Sequence, residues 1–253
     1  MNKDFARDTT ALLGRSLRHI GRSPDTIITT AVMPIGFMLM FVYVFGSAIR
    51  IGTGKYVDYL LPGILVITIA SGISYTAYRL FLDKQNGIFE RFQSMPIARS
   101  SLLWAHVLTS LVANLVSLAV VLVVALVMGF RSSAGVVAWL GVVGILVLFT
   151  LGLTWLAVIP GLTAKTVDGA SAFSYPLIFL PFVSSAFVPT EGMPGPVRAF
   201  AEHQPVTSIV DALRHLLAGQ PVGSSLWTAL VWCAGLLVFA SAGATSVYRR
   251  TAS

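Results

Sequence analysis

The chain has 253 residues, of which 56% are hydrophobic and only 11% charged, and it carries a formal net charge of +7. Soluble domains carry roughly 25% charged residues, so this composition excludes a water-covered globule. The excess of positive charge is spread over the chain and forms no basic groove with interleaved aromatics, which excludes a nucleic-acid module.

Residues 1–26 are polar and charged. Phe5, Leu12, Leu13, Leu17 and Ile20 recur at helical spacing, with Arg7, Arg15, Arg18 and Arg22 on another face. This pattern predicts a basic amphipathic helix lying on the cytoplasmic membrane surface. It serves as an anchor or as a lever onto the first span. A secretory signal has its apolar stretch close behind a short basic start. Here the first apolar run is a full span, expected to act as an uncleaved anchor.

Six charge-free runs follow. A bilayer core of about 30 Å needs about 20 apolar residues as a helix, and the runs predict spans at about 27–49, 59–81, 103–128, 136–158, 170–188 and 226–247. Stretches such as Leu118–Val127 are apolar on every side. In lipid, such a run pairs its backbone internally only as a helix. The expected fold class is therefore an all-α membrane protein of six transmembrane helices in a single transmembrane domain. Pro34, Pro62 and Pro176 lie inside spans and are expected to kink or shorten them. With both termini in the cytoplasm, 12 basic residues fall inside and 5 outside, which sets the orientation.

Between the second and third spans, a cytoplasmic loop at 83–99 reads Asp83-Lys-Gln-Asn-Gly-Ile-Phe-Glu-Arg-Phe-Gln-Ser-Met-Pro-Ile-Ala-Arg99. Ile88, Phe92 and Met95 share a helical face with Phe89 beside them, and Pro96 stops the helix. Such a face needs burial in a partner's groove or at the membrane interface. Arg79 and Asp83 sit near a span end and can snorkel, and His106 lies at the start of span three. Asn114 is mid-span, either helix–helix glue or a substrate ligand. In span two, Ser71, Gly72 and Ser74 permit close helix approach. The single Cys233 reads as a small core residue.

The segment 189–223, expected outside the cell, is predicted to hold a helix at about 206–218. Val206, Ile209, Val210, Leu213, Leu216 and Leu217 form its apolar stripe, and Gly219 its stop. Asp211 reaches either Arg214 or His215 at helical spacing. This helix is too short to span and is expected to dip into the outer leaflet as a re-entrant or interfacial element.

The string Gly87-Ile-Phe-Glu90-Arg91-Phe-Gln-Ser-Met95-Pro96-Ile-Ala-Arg99 resembles the G-x-x-E-R-L-x-S-L-P-x-x-R stretch of type-2 ABC transporter permeases, which include daunorubicin-resistance and polysaccharide-export permeases. The stretch with Pro205, Asp211, Arg214 and Gly219 resembles the P…(D/E)-A-L-R-x-L-L-x-G ending that precedes the last span in that family, with Gln204 where the family has Asn. The resemblance implies the membrane half of an ATP-driven exporter in a bacterial inner membrane. Gly87 to Arg99 would be the coupling helix on a separate ABC ATPase. Glu90 and Arg91 would make its polar contacts, Phe89, Phe92 and Met95 would fill the groove, and Pro96 would end it. Lys165 and Asp168, in the 160–171 loop, would make a second coupling contact. Two permeases, identical or related, would enclose a central cavity between spans two and five. The expected substrate path is Ser71, Ser74, Tyr75, Asn114, Phe179, Phe182, Ser184 and Phe187, whose aromatic wall suits a drug-like or lipid-like amphiphile.

The chain itself has no G-x-x-x-x-G-K-[ST] sequence, since Gly54-Lys55 has Ile49 in place of the first glycine and Tyr56 after the lysine. ATP and Mg are thus expected in the partner, and no cofactor in this chain. The four histidines are scattered without metal-ligand spacing, and no G-x-S-x-G elbow is present. The spans hold no buried carboxylate, which weighs against the alternative, an ion-coupled secondary multidrug transporter.

Overall fold

The computed structural model describes residues 25–46, 55–88 and 99–251, and among these it contains helices and turns but no strand. The helices in chain order are α1 (Asp25–Met40), α2 (Tyr56–Gln85), α3 (Arg99–Val127), α4 (Val136–Thr163), α5 (Val167–Ala172), α6 (Ser174–Phe179), α7 (Gly195–His203), α8 (Pro205–Leu217) and α9 (Ser224–Thr251). The expected amphipathic helix at 5–22 lies outside the described residues.

Four helices are long and apolar enough to cross a membrane: Tyr56–Gln85, Leu103–Val127, Val136–Thr163 and Ser224–Arg250. They occupy the places expected for spans two, three, four and six. Two shorter apolar stretches, Thr30–Phe45 and Val167–Val183, fall where spans one and five were expected. In the first, α1 passes through Pro34 and ends in a wide π turn over Phe41–Phe45. In the second, Pro176 and Pro181 each remove a backbone N–H that a continuous helix would need. The chain there runs as α5, α6 and a 3₁₀ turn at Leu180–Val183 rather than one rod. By contrast α2 continues through Pro62 for 30 residues, and α4 through Pro160 for 28.

Helix α2 is the centre of the bundle. Of its most apolar window 83% is buried, against 17% for α9, so α9 lies at the periphery. Leu60, Leu61, Ile64, Ile67, Ile69 and Ile73 are fully enclosed by α1, α3, α4, α6 and α8. A second, smaller core at the Gln85 end joins Leu80, Leu103, Val107, Trp155, Val158 and Leu162 to Ala240, Ala244 and Tyr248 of α9. Helices α4 and α9 pack along most of their lengths. Outward faces remain apolar, as Val137 and Phe239, both more than 80% exposed, illustrate. A continuous apolar exterior of this kind belongs in hydrocarbon rather than in water.

The helix expected at about 206–218 is α8, and its whole apolar stripe, from Val206 to Leu217, is buried. Its end has the geometry of a Schellman motif. Gly219 N–H donates to Leu216 O (3.1 Å) and Gln220 N–H to His215 O (2.9 Å), with Gly219 at φ +64°. The hydroxyls of Ser132 and Ser133, from the α3–α4 turn, donate to Leu217 O (2.8 Å) and Ala218 O (2.7 Å). The last carbonyls of α8 are thus satisfied by an element far away in sequence.

Candidate functional site: a polar cleft between two fastened ends

At the Gln85 end, α2 closes on Asn86, whose N–H donates to Leu82 O (2.9 Å), and the chain turns at Gly87 with φ +67°. Ile88 begins a new helical turn. Phe89, Glu90, Arg91, Phe92, Met95 and Pro96 lie outside the described residues; Arg99 opens α3. Around this turn the ends are pinned by charge. Lys84 Nζ donates to Leu162 O (2.6 Å), capping the last turn of α4. His106 Nε2 lies 3.1 Å from Asp83 Oδ2, so the two groups expected to sit separately at the interface pair with each other. Lys165 and Asp168 are both exposed at the start of α5, whose first turn is capped by the Thr166 hydroxyl accepting from Gly169 N–H (3.1 Å). This is a side-chain N-cap of the usual kind.

Above this end, α1, α2 and α3 enclose a polar cavity of about 30 Å3, lined by Thr76, Arg79, His106, Thr109, Ser110 and Asn114 among others. The hydroxyls of Thr76 and Ser110 are 2.6 Å apart, and Asn114 Nδ2 donates to Ser110 O (2.9 Å). Asn114 Oδ1 lies against Gly72, where any β-carbon would collide with it. Asn114 thus packs its amide against α2 while its hydrogen bonds stay within α3, and among the described residues its oxygen finds no hydrogen-bond donor. Beside this cavity, and sharing Thr30 and Tyr75 with it, lies a wider cleft of about 390 Å3 between α1, α2 and α5–α6. Ser71, Ser74 and Tyr75 line it, together with Tyr78, Ser174, Tyr175 and the apolar Met33 and Ile178.

The aromatic residues of the expected path form a separate wall. Phe182 stacks on Phe187 (centroids 4.9 Å) and Phe187 on Phe41 (4.7 Å), while Phe37 meets Phe182 edge-on (5.4 Å). Phe179 is exposed and 6.2 Å from Phe182. Ser184 turns back on its own segment, donating to Pro181 O (2.6 Å) and accepting from Ala186 N–H (3.1 Å). The eight expected path residues therefore do not share one site: Ser71, Ser74 and Tyr75 line the cleft, Asn114 the small cavity beside it, and Phe179, Phe182 and Phe187 belong to the aromatic wall, with Ser184 in the turn between.

The Tyr56 end is held by Arg214. Its guanidinium donates to Asp211 Oδ1 (2.7 Å), Ser185 O (2.8 Å) and Tyr59 O (3.3 Å), and lies 3.8 Å from the Tyr59 ring centroid. Ser185 Oγ also donates to Asp211 Oδ1 (2.7 Å), and the Tyr59 and Tyr56 hydroxyls donate to Ser185 O (2.9 Å) and Phe187 O (3.1 Å). Asp211 thus pairs with Arg214, while His215 Nδ1 contacts only the Asp211 backbone oxygen (2.8 Å). Pro205 opens α8, and Gln204 before it bonds through Nε2 to Val183 O at the 3₁₀ turn. Sequence reasoning missed Tyr56, Tyr59 and Lys84. The only available signal was the enrichment of tyrosine and lysine at span ends.

The chain matches the ABC-2 type transporter family over residues 7–218. It is 30% identical to a daunorubicin resistance ABC transporter permease of Streptomyces coeruleorubidus, covering 93% of this chain and 81% of that one. It is 28% identical to a doxorubicin resistance ABC transporter permease of Mycobacterium tuberculosis, over 98% and 91%. A family match across most of the length, on a bundle with four helices long and apolar enough to cross a membrane, makes this chain a member of the ABC-2 type transporter family and the membrane permease of an ABC exporter.

Proposed function

We propose that the protein carries an amphipathic, drug-like or lipid-like substrate outward across a bacterial inner membrane, by alternating access driven by a separate ATPase pair. In this reading the Gln85 end is cytoplasmic, with both termini, and the Tyr56 end is external. The stretches Thr30–Phe45 and Val167–Val183 complete six spans, and α8 is the re-entrant element in the outer leaflet. A second permease copy or a related chain faces α2 and α5–α6. Gly87 to Arg99, with Lys165 and Asp168 nearby, receives the movement of the ATPase, which binds ATP and Mg. The 5–22 helix rides on the inner surface and passes the motion into α1.

The observation that carries this reading is the cleft of about 390 Å3 on one flank of α2, lined by hydroxyls and tyrosine rings yet flanked by apolar helices. Such a lining suits a cargo with a polar and an apolar part. The names of the similar permeases point to anthracyclines as a first cargo to try. The test is transport into inside-out vesicles that contain the permease and its ATPase. Uptake of daunorubicin or a fluorescent lipid should require ATP and survive collapse of the proton and sodium gradients. Uptake that follows the ion gradients and ignores ATP would replace this reading with an ion-coupled carrier.

A further inference from the structure

Against hydrocarbon, a cavity fills according to the polarity of its walls, because no water is at hand to enter it. A second cavity of about 390 Å3 lies across α6 from the polar cleft. Helix α6 divides the two: Ser174, Tyr175 and Ile178 line the cleft, whereas Leu177 and the adjoining Leu180 line the cavity. Val66 and Ala70 of α2, both buried, form its floor, and Phe149 and Leu153 of α4 form one side. Pro205, Val206 and Ile209 close it from α8. No residue in this lining carries a charge, an amide side chain or a hydroxyl. Its only polar side-chain atoms are the Trp232 indole nitrogen and the Cys233 thiol.

The mouth is on the bilayer side. Trp232, Gly235 and Phe239 of α9 line the cavity and are exposed. Helix α9 packs on α4 and α8, so the opening lies along its other edge, toward α6. A β-carbon at Gly235 would meet nothing within 4 Å, so this edge is open. Gly235 stands eleven residues beyond the start of α9, about 16 Å along it. That is close to the middle of a hydrocarbon layer about 30 Å thick, out of reach of head groups. An empty void of this size would be costly. A neighbouring helix, about 10 Å across, is too broad to enter it, whereas a slender flexible chain is not. Apolar cavities of about 150 Å3 already take up a ring the size of benzene.

We propose that this cavity is an acyl-chain site, in which one tail of a bilayer lipid enters between α6 and α9 past Gly235 and lies over Val66 and Ala70. There it supports α6 on the side opposite the residues that face the polar cleft. The site rests on the placement of the bundle in a membrane and not on the identity of the cargo.

The test uses the permease–ATPase complex, stripped of lipid in detergent, with palmitoyl-oleoyl phosphatidylcholine as the probe. This lipid should raise the thermal midpoint saturably. Dihexanoyl phosphatidylcholine, with the same head group and short tails, should not. Phosphatidylglycerol with palmitoyl-oleoyl tails should act as well as the probe. Gly235→Leu at the open rim and Ala70→Leu at the floor should each raise the midpoint measured without lipid. Each should also raise the half-saturating lipid concentration about tenfold. Replacing a helical glycine adds helix propensity, and two controls separate that from filling. Gly235→Ala leaves most of the cavity empty and should keep the lipid response. Gly144→Leu, on an exposed face of α4 outside this lining and equally free of neighbours, should keep it too. A lipid response unchanged in Gly235→Leu overturns the site, even where Ala70→Leu fails to fold. A response lost equally in Gly144→Leu, or one that follows the head group, also overturns it. Dissociation of a permease dimer in the filling variants, with the lipid response intact, would make the occupant a second copy and remove the lipid from the site.

Discussion

Gly72 and Asn114 meet between α2 and α3, and that contact leaves no space for a β-carbon. Gly72→Ala should therefore force the helices or the amide aside, at a cost of about 1–3 kcal/mol. A lower thermal midpoint in detergent checks this. Gly72→Ala combined with Asn114→Ala should recover most of the loss, because the second change empties the contested volume. Arg214 poses a different problem, since one guanidinium serves a carboxylate, two backbone oxygens and a ring. Arg214→Leu should cost roughly 1–3 kcal/mol by leaving those acceptors partly unanswered. Arg214→Lys should rescue little, because a point-like ammonium cannot reproduce the planar fork. Comparison of the two midpoints decides it. Sequence spacing allowed Asp211 either Arg214 or His215. What selected Arg214 was the arrival of Ser185 and Tyr59 from other elements, which no helical periodicity encodes.

Among the elements, α8 was the most readable, because its apolar stripe, its polar face and its terminal glycine all pointed to one amphipathic helix. Gly219→Ala should shorten or strain its end. The residue sits at φ +64°, and a β-carbon there would come within 2.9 Å of Ser133 O. The expected cost is about 1 kcal/mol or more, seen as a drop in midpoint with α8 amides exchanging hydrogen faster. The fifth apolar run was less readable. Its composition alone fits a span, but the chain there divides into α5, α6 and a 3₁₀ turn. Pro176 gave notice of a disturbance, and Pro181, five residues on, removes a second N–H from the same run. Pro62, with the same chemistry, leaves α2 intact. Pro34 and Pro160 likewise lie inside α1 and α4, so a proline in an apolar run does not by itself mark where the run divides.

For the whole molecule, apolar runs and family resemblance identified a membrane permease without any structure. The cleft and the small cavity beside it needed several helices in register, and so were only half visible: Ser71 and Ser74 of the cleft and Asn114 of the cavity stood out, while Thr109 and Arg79 gained meaning from what surrounds them. The coupling assignment is a property of the assembled exporter. Glu90→Ala or Phe92→Asp should lower ATP-dependent transport and substrate-stimulated hydrolysis severalfold or more, with membrane insertion unchanged. Parallel measurement of uptake, hydrolysis and membrane-fraction yield checks this, and full export by both variants would remove the role given to that segment.

The tie between Lys84 and the last turn of α4 bears on how force would spread from such a segment. Gly87 stands three residues beyond Lys84, and Leu162 is one residue from the end of α4. A shove arriving at Gly87 is thus shared by two rods from its first ångström of travel. Because α4 is laced to α9 along most of its length, the peripheral helix is drawn along as well. Lys84→Met would remove the polar part of that link and leave the two ends joined by apolar packing, Leu80 against Gly161 and Leu162, which can slide where a hydrogen bond cannot.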